Sequence, residues 1–343
     1  MTRGGSAIRS AWFRLVVALA VLVALASPVP AQRAAGKMPS VGVLWAGPIT
    51  FAKPYLDAGL ESLRELGWVE GQNIAIERRF APPTAKTQPE RRAALIANAE
   101  DLARLKVNVI VAVADPAVEV ARQATSTIPI VMLAVGEAVG LGFISSVARP
   151  GGNITGIGAL STELSGKRLE LLKQIVPSAT RVAVLWSPAN PAGILGFREI
   201  EGTARRLGVT LQSLPVRSES EIQPAFGAMA QERAEGLTVV TDPLTWTVRR
   251  EIVELAGKHR VPAVYELREY VDIGGLASYG PSLVGLSRRV AFFVDRILKG
   301  ANPATLPVEL PTQLEMVVNL KAAAALQLTL PQAVTVRAND VVR

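Results

Sequence analysis

Short apolar runs alternate with longer amphipathic stretches along most of the chain, and the runs come in two matching series. Val109-Ile110-Val111-Ala112-Val113-Ala114 stops at Asp115-Pro116, as a strand buried on both faces would before a helix. Leu237-Thr238-Val239-Val240-Thr241 stops at Asp242-Pro243 in the same way, 242 − 115 = 127 residues later. In each copy a helix-length segment follows and then a second apolar run opening on proline, Pro129-Ile130-Val131-Met132-Leu133 and Pro262-Ala263-Val264-Tyr265. Upstream, Val41-Gly42-Val43-Leu44-Trp45 matches Val182-Ala183-Val184-Leu185-Trp186 at an offset of 182 − 41 = 141. The offsets differ, so the spacers vary while the strands persist. After these strands come helices ending at Gly67 and Gly208, where a left-handed stop is wanted, and then the strands Asn73 to Glu77 and Val209 to Gln212.

Strands alternating with helices predict parallel sheets with right-handed crossovers, and two such series predict two lobes. The fold class expected is α/β, two Rossmann-like lobes with parallel sheets joined by a multi-strand hinge. The first lobe is expected over residues 40–157 and 279–306, the second over 158–278 and 307–343. Helices are predicted over Pro54 to Leu66, Glu90 to Leu105, Ser161 to Val176 and Leu283 to Leu298. Glu315 to Leu320 and Val334 to Arg337 read as late strands around an alanine-rich helical segment. Ser278 and Tyr279, bracketed by Gly274-Gly275 and Gly280-Pro281, are expected in a crossover between the lobes.

The N-terminus changes the picture of where the chain works. Arg3, Arg9 and Arg14, an apolar run from Leu15 to Ala26, and Val29-Pro30-Ala31 have the layout of a secretory signal, with cleavage near Ala31. The apolar run is shorter than the roughly 20 residues a membrane-spanning helix needs. No cysteine occurs anywhere, so disulfides, thiolate metal sites, cysteine nucleophiles and a lipid-modified cysteine are excluded. The expectation is a periplasmic protein without a lipid anchor. The formal charge of +8 becomes 8 − 3 = +5 without the signal arginines and is dispersed, so no nucleic-acid partner is read.

Catalytic chemistry finds little support. The single histidine, His259, lies at the end of a predicted helix, which suits a surface or capping residue and leaves no Ser-His-Asp or histidine metal constellation. The glycines from Gly136 to Gly142 and at Gly151-Gly152 lack the strand-GxGxxG-helix order of a dinucleotide site. No catalytic residue, cofactor or metal is assigned. In open α/β sheets ligands bind beyond the carboxyl ends of the strands. That rule selects Trp45, Gly47, Asp115, Gly136, Glu137, Trp186, Ser187, Asn190, Asp242, Trp246 and Tyr265 as candidate ligand-binding residues. Asp115 and Asp242 can equally be helix caps, and the tryptophans core residues.

Several stretches together resemble a known family. Gly151-Gly152-Asn153-Ile154-Thr155-Gly156, Ser165-Gly166-Lys167-Arg168-Leu169-Glu170-Leu171-Leu172-Lys173, Val182 to Trp186 with Pro188-Ala189-Asn190-Pro191, and Gly274 to Ser282 are similar to ABC-transporter substrate-binding proteins of the tryptophan/tyrosine type. The resemblance spans about Ser40 to Arg343. It implies a type I periplasmic binding fold that closes on one small ligand and delivers it to a permease with a cytoplasmic ATPase. The aromatic and polar candidates themselves suit an amphiphilic, amino-acid-like ligand, aromatic or branched, and a monomer is expected. The same fold also serves as the ligand-sensing part of signalling systems. Two positions depart from the family's pattern: Asp115 stands where relatives often carry a small residue or threonine, and Gly136-Glu137-Ala138 replaces a frequent Gly-Asp-Pro.

Overall fold

A computed structural model describes residues 38–343. The signal segment expected over residues 1–31 lies outside them. The first series of elements is β1 (Ser40–Trp45), α1 (Ile49–Glu65), β2 (Ala75–Phe80), α2 (Gln88–Leu105), β3 (Val109–Val113), α3 (Asp115–Ala124), β4 (Ile130–Val135) and β5 (Ile154–Gly158). The second is α4 (Ser161–Ile175), β6 (Arg181–Trp186), α5 (Pro191–Leu207), β7 (Thr210–Pro215), α6 (Ile222–Gln231), β8 (Gly236–Val239), α7 (Pro243–Thr247), α8 (Arg249–Lys258), β9 (Ala263–Tyr265), α9 (Arg268–Asp272) and β10 (Ala277–Pro281). The tail adds α10 (Leu283–Leu298), β11 (Leu314–Asn319), α11 (Leu320–Ala325), α12 (Gln332–Arg337) and β12 (Asp340–Val342).

The two sheets carry the repeat. The first has the order β2-β1-β3-β4-β5 and the second β7-β6-β8-β9-β10, extended by β11 and β12. All pairings are parallel except β10 with β11. Strand sides alternate between two cores. Val41, Val109, Val111 and Val131 pack with Tyr55 and Leu63. Leu44, Ile110, Ala112 and Met132 face Leu95, Leu102 and Val118. That two-sided burial is why these strands read as continuous apolar runs. Gly67 (φ 91°) and Gly208 (φ 64°) hold the left-handed stops predicted for them.

The chain passes between the sheets three times: from β5 into α4, from β10 into α10, and near Glu309 before β11. β10 stays in the second sheet through Pro281, pairing with Leu314 and Glu315 of β11. Ser278 and Tyr279 therefore lie inside that sheet, and the crossing falls just after them, at Ser282. On the far side α10 packs on α1 and on β3 to β5. Glu309 still bridges to Ile157 of the first sheet, so the last crossing comes after it. The expected strand over Val334 to Arg337 is instead helix α12. Its apolar alternation does not reflect burial, since Val336 is 74% exposed, and Pro331 sits at the helix start.

Candidate functional site

The carboxyl ends of both sheets converge on one cavity. From the first come Trp45, Ala114, Asp115, Ala134 and Gly136; from the second, Asn190, Thr241, Asp242 and Trp246; from beside the crossings, Ser161, Thr162, Glu266, Leu283 and Leu286. The space open to the centres of water-sized spheres is about 90 Å³, against the roughly 10–15 Å³ that one water requires.

Three carboxylates stand on the wall, each held differently. Asp115 does not cap its own helix; its Oδ1 accepts a hydrogen bond from the Gly136 N–H at 3.0 Å, tying β3 to the end of β4. Burial pushes its carboxyl up to about 6, the main-chain N–H groups of Gly136 and Glu137 oppose this, and the Glu266 charge adds to it. Asp242 is the N-cap of α7, accepting from Thr245 N at 2.8 Å, and its other oxygen accepts from Gln88 Nε2 at 2.9 Å. Burial raises its pKa as well, against the hydrogen bonds from Thr245, Gln88 and Ser187. Glu266 accepts from Ser161 Oγ and lies 3.4 Å from Arg168. Arg168 is 1% exposed and donates to the carbonyl oxygens of Tyr279 at 3.0 Å and Ser161 at 3.2 Å. Burial lowers its pKa and the Glu266 charge resists that.

Aromatic rings form a connected wall. Trp45 stacks on Tyr55 at 5.8 Å, Tyr55 lies 6.2 Å from Trp246, and Trp246 meets Tyr270 edge-on at 5.9 Å. Trp246 Nε1, Thr162 Oγ1 and Thr241 Oγ1 are buried without a hydrogen-bond partner, and all three residues line the cavity. Buried polar atoms are rarely left so. The backbone is strained here too: Ala114 holds φ 67°, ψ 165°, a region almost confined to glycine, and Ala134 is left-handed at φ 57°.

Side chains from the first series reach across to the second beside this cavity. Arg91, 3% exposed, donates to Glu219 at 2.7 Å and to Thr247 Oγ1 at 3.1 Å. Tyr55 Oη donates to Glu269 at 2.8 Å, and Gln88 N–H to the Arg217 carbonyl at 3.1 Å.

Of the residues selected from the sequence, Trp45, Asp115, Gly136, Asn190, Asp242 and Trp246 line the cavity. The others do not. Gly47 is buried next to the Trp45 ring, and Glu137 folds back to accept from Gly140 N–H. The Trp186 indole lies on Phe197 at 4.7 Å, drawn toward the sheet edge by its hydrogen bond to Ser213 of β7. Ser187 is buried against Gln88, and Tyr265 stacks on Tyr270 at 4.6 Å. Sequence reasoning missed Ser161, Thr162 and Glu266, which lie beyond the carboxyl ends of β5 and β9, and the leucines of α10. The strand-end rule reaches the first three; nothing local marks Leu283 and Leu286 as cavity residues.

A family model described as ABC transporter substrate binding protein matches residues 57–342. The tyrosine-binding protein of Clostridioides difficile (strain R20291) is 24% identical over 270 residues, 78% of this chain and 75% of that one. A conserved domain protein from Vibrio cholerae has a solved structure that superposes with a TM-score of 0.81 at 26% identity, over 89% of this chain and 100% of that one. The ABC domain in complex with L-Trp from Streptococcus pneumonia gives 0.80 at 22% identity, over 89% and 100%. The chain belongs to the ABC transporter substrate binding protein family and has the type I periplasmic binding fold.

Proposed function

We propose that this protein is the non-enzymatic solute receptor of an ABC uptake system, exported to the periplasm without a lipid anchor and acting as a monomer. Its lobes would comprise residues 40–158 with 283–309, and 159–281 with 314–342. One small amphiphilic solute with an aromatic or branched apolar body binds between them and is delivered to a permease driven by a cytoplasmic ATPase. The observation that carries the reading is a cavity where both sheets end, walled by Trp45 and Trp246 and lined by buried polar atoms without protein partners. The tyrosine and tryptophan in the names of the relatives fit a solute of that shape. A solute touching both walls has differential affinity for the closed arrangement, which gives the permease a loaded form to recognise.

The test is a thermal-shift screen of amino acids, aromatic acids and amines, followed by uptake of the hit in cells lacking the gene. At 100 times its dissociation constant a solute adds about 2.7 kcal/mol, or roughly 4 °C in Tm for a chain of this size. A hit whose uptake is lost with the gene supports the reading; a hit whose uptake is unchanged contradicts the transport role.

A further inference from the structure

A second cavity lies between the first sheet and the helices α1 and α10. Trp45 and Val113 stand in its wall and in that of the cavity where the two sheets converge. The sequence builds it with small residues at one level of the helix pair. Gly59 lets α1 approach α10 until a Cβ there would lie 3.2 Å from the Ser287 carbonyl oxygen, and Ala291 follows one turn later. Valines of β1 and β3 and leucines of α1 close the other sides. The space open to the centres of water-sized spheres is about 50 Å³, several times the roughly 10–15 Å³ that one water requires. Close-packed interiors hold few voids of that size, because the atoms lining a void lose packing partners.

No lining residue is charged, and among them Trp45, Tyr55 and Ser287 alone carry a side-chain polar atom. The Tyr55 hydroxyl is taken by Glu269 at 2.8 Å, and Trp45 Nε1 lies toward Gly47, where a Cβ would sit 3.4 Å from it. Ser287 is 3% exposed, yet its Oγ has no hydrogen-bond partner. A serine inside a helix can return its hydroxyl to the carbonyl oxygen four residues back, as Ser165 of α4 does to Ser161 at 2.8 Å. Ser287 does not, which leaves one donor and acceptor in an otherwise apolar wall. A water there would meet that single group, where an ordered buried water normally makes about three hydrogen bonds.

We propose that this cavity is a second ligand site, separate from the one where the sheets converge, for a small uncharged molecule of about five non-hydrogen atoms. Its branched apolar part packs on the valines and leucines, and its one hydroxyl or carbonyl group meets Ser287 Oγ. A charged group is excluded, because burial would strip its water and nothing on the wall pairs it. Helix α10 runs along both cavities: Leu283 and Leu286 line the first, and Ser287, Val290, Ala291 and Val294 the second.

The test is methyl-detected NMR titration of the full chain with isobutanol, isobutyrate and isobutylammonium, and with xenon as an uncharged probe that has no polar group. Isobutanol and xenon are expected to shift the methyl signals of Val41, Leu60 and Val294, with isobutanol at least about tenfold tighter than either ion. Ser287→Ala is expected to weaken isobutanol about fivefold and leave xenon unchanged. Ala291→Val adds bulk to the wall and is expected to abolish binding of both while raising Tm; Val294→Ile is the second filling variant should the first fail to fold. Shifts confined to Leu283 and Leu286, undiminished binding to a folded filling variant, or ions binding as tightly as the alcohol would overturn the inference. So would equal loss of xenon in Ser287→Ala, or no methyl shifts with either uncharged probe. None of these results bears on the first cavity, which its own solute screen decides.

Discussion

Asp115→Asn tests the energetics of the site in the absence of solute. The carboxyl is fully buried, and its pKa rises from 3.8 to about 6 on folding, chiefly because burial disfavours the charge. The folded protein then binds this proton more tightly than the unfolded chain, so stability contributed by the site falls as pH rises from about 4 through about 6. A shift of that size corresponds to roughly 3 kcal/mol lost once the group is ionised in both states. Asparagine has no charge to desolvate and retains an oxygen for the Gly136 N–H. Urea unfolding of wild type and variant across this range should therefore give similar stabilities near pH 4. Near pH 8 the variant should be more stable, by up to about 3 kcal/mol. A difference independent of pH, or a variant less stable at the alkaline end, would refute the burial argument.

Other substitutions test separate features. Arg91→Met removes the buried side of the Arg91–Glu219 pair that joins the two series; it should cost about 3 kcal/mol in urea unfolding, and undiminished stability would count against the pair holding the two series together. Ala114→Gly relieves the φ 67°, ψ 165° backbone and should stabilise by about 1 kcal/mol in urea, whereas Ala114→Val should destabilise by more than about 2 kcal/mol; a glycine variant no more stable than wild type would show that the strain is not there. Gly156→Ala would place a Cβ 2.2 Å from the Met132 carbonyl oxygen at φ 127°. It should cost more than about 3 kcal/mol, measured by thermal unfolding, and near-wild-type stability would contradict the close pairing of β4 and β5.

The repeated strands and the glycine stops were legible because they rest on local pattern: two-sided burial leaves unbroken β-branched runs, and a left-handed stop demands glycine. The strand-end rule also reached Asp115, Asn190, Asp242 and Trp246. It could not separate Trp45 from Trp186, which occupy equivalent ends of β1 and β6. That difference depends on a long-range partner, since Ser213 of the edge strand β7 draws the Trp186 indole away from the cavity. The same rule reaches Glu266, which follows the last residue of β9, but nothing local shows why a charge can be buried there. Its charge is tolerable there only because Arg168, about a hundred residues earlier, is buried beside it. The α12 segment misled because Val334 and Val336 alternate like a strand while only Val334 is covered.

The central claim, that a solute binds where the two sheets converge, is tested most directly by titrating the tightest solute from the screen into Trp246→Ala and Trp186→Ala. Trp246 lines the cavity; Trp186 lies outside it on Phe197. The account expects Trp246→Ala to lose at least about tenfold in affinity while Trp186→Ala binds as the wild type does. A folded Trp246→Ala protein with undiminished affinity, or a loss confined to Trp186→Ala, would contradict it.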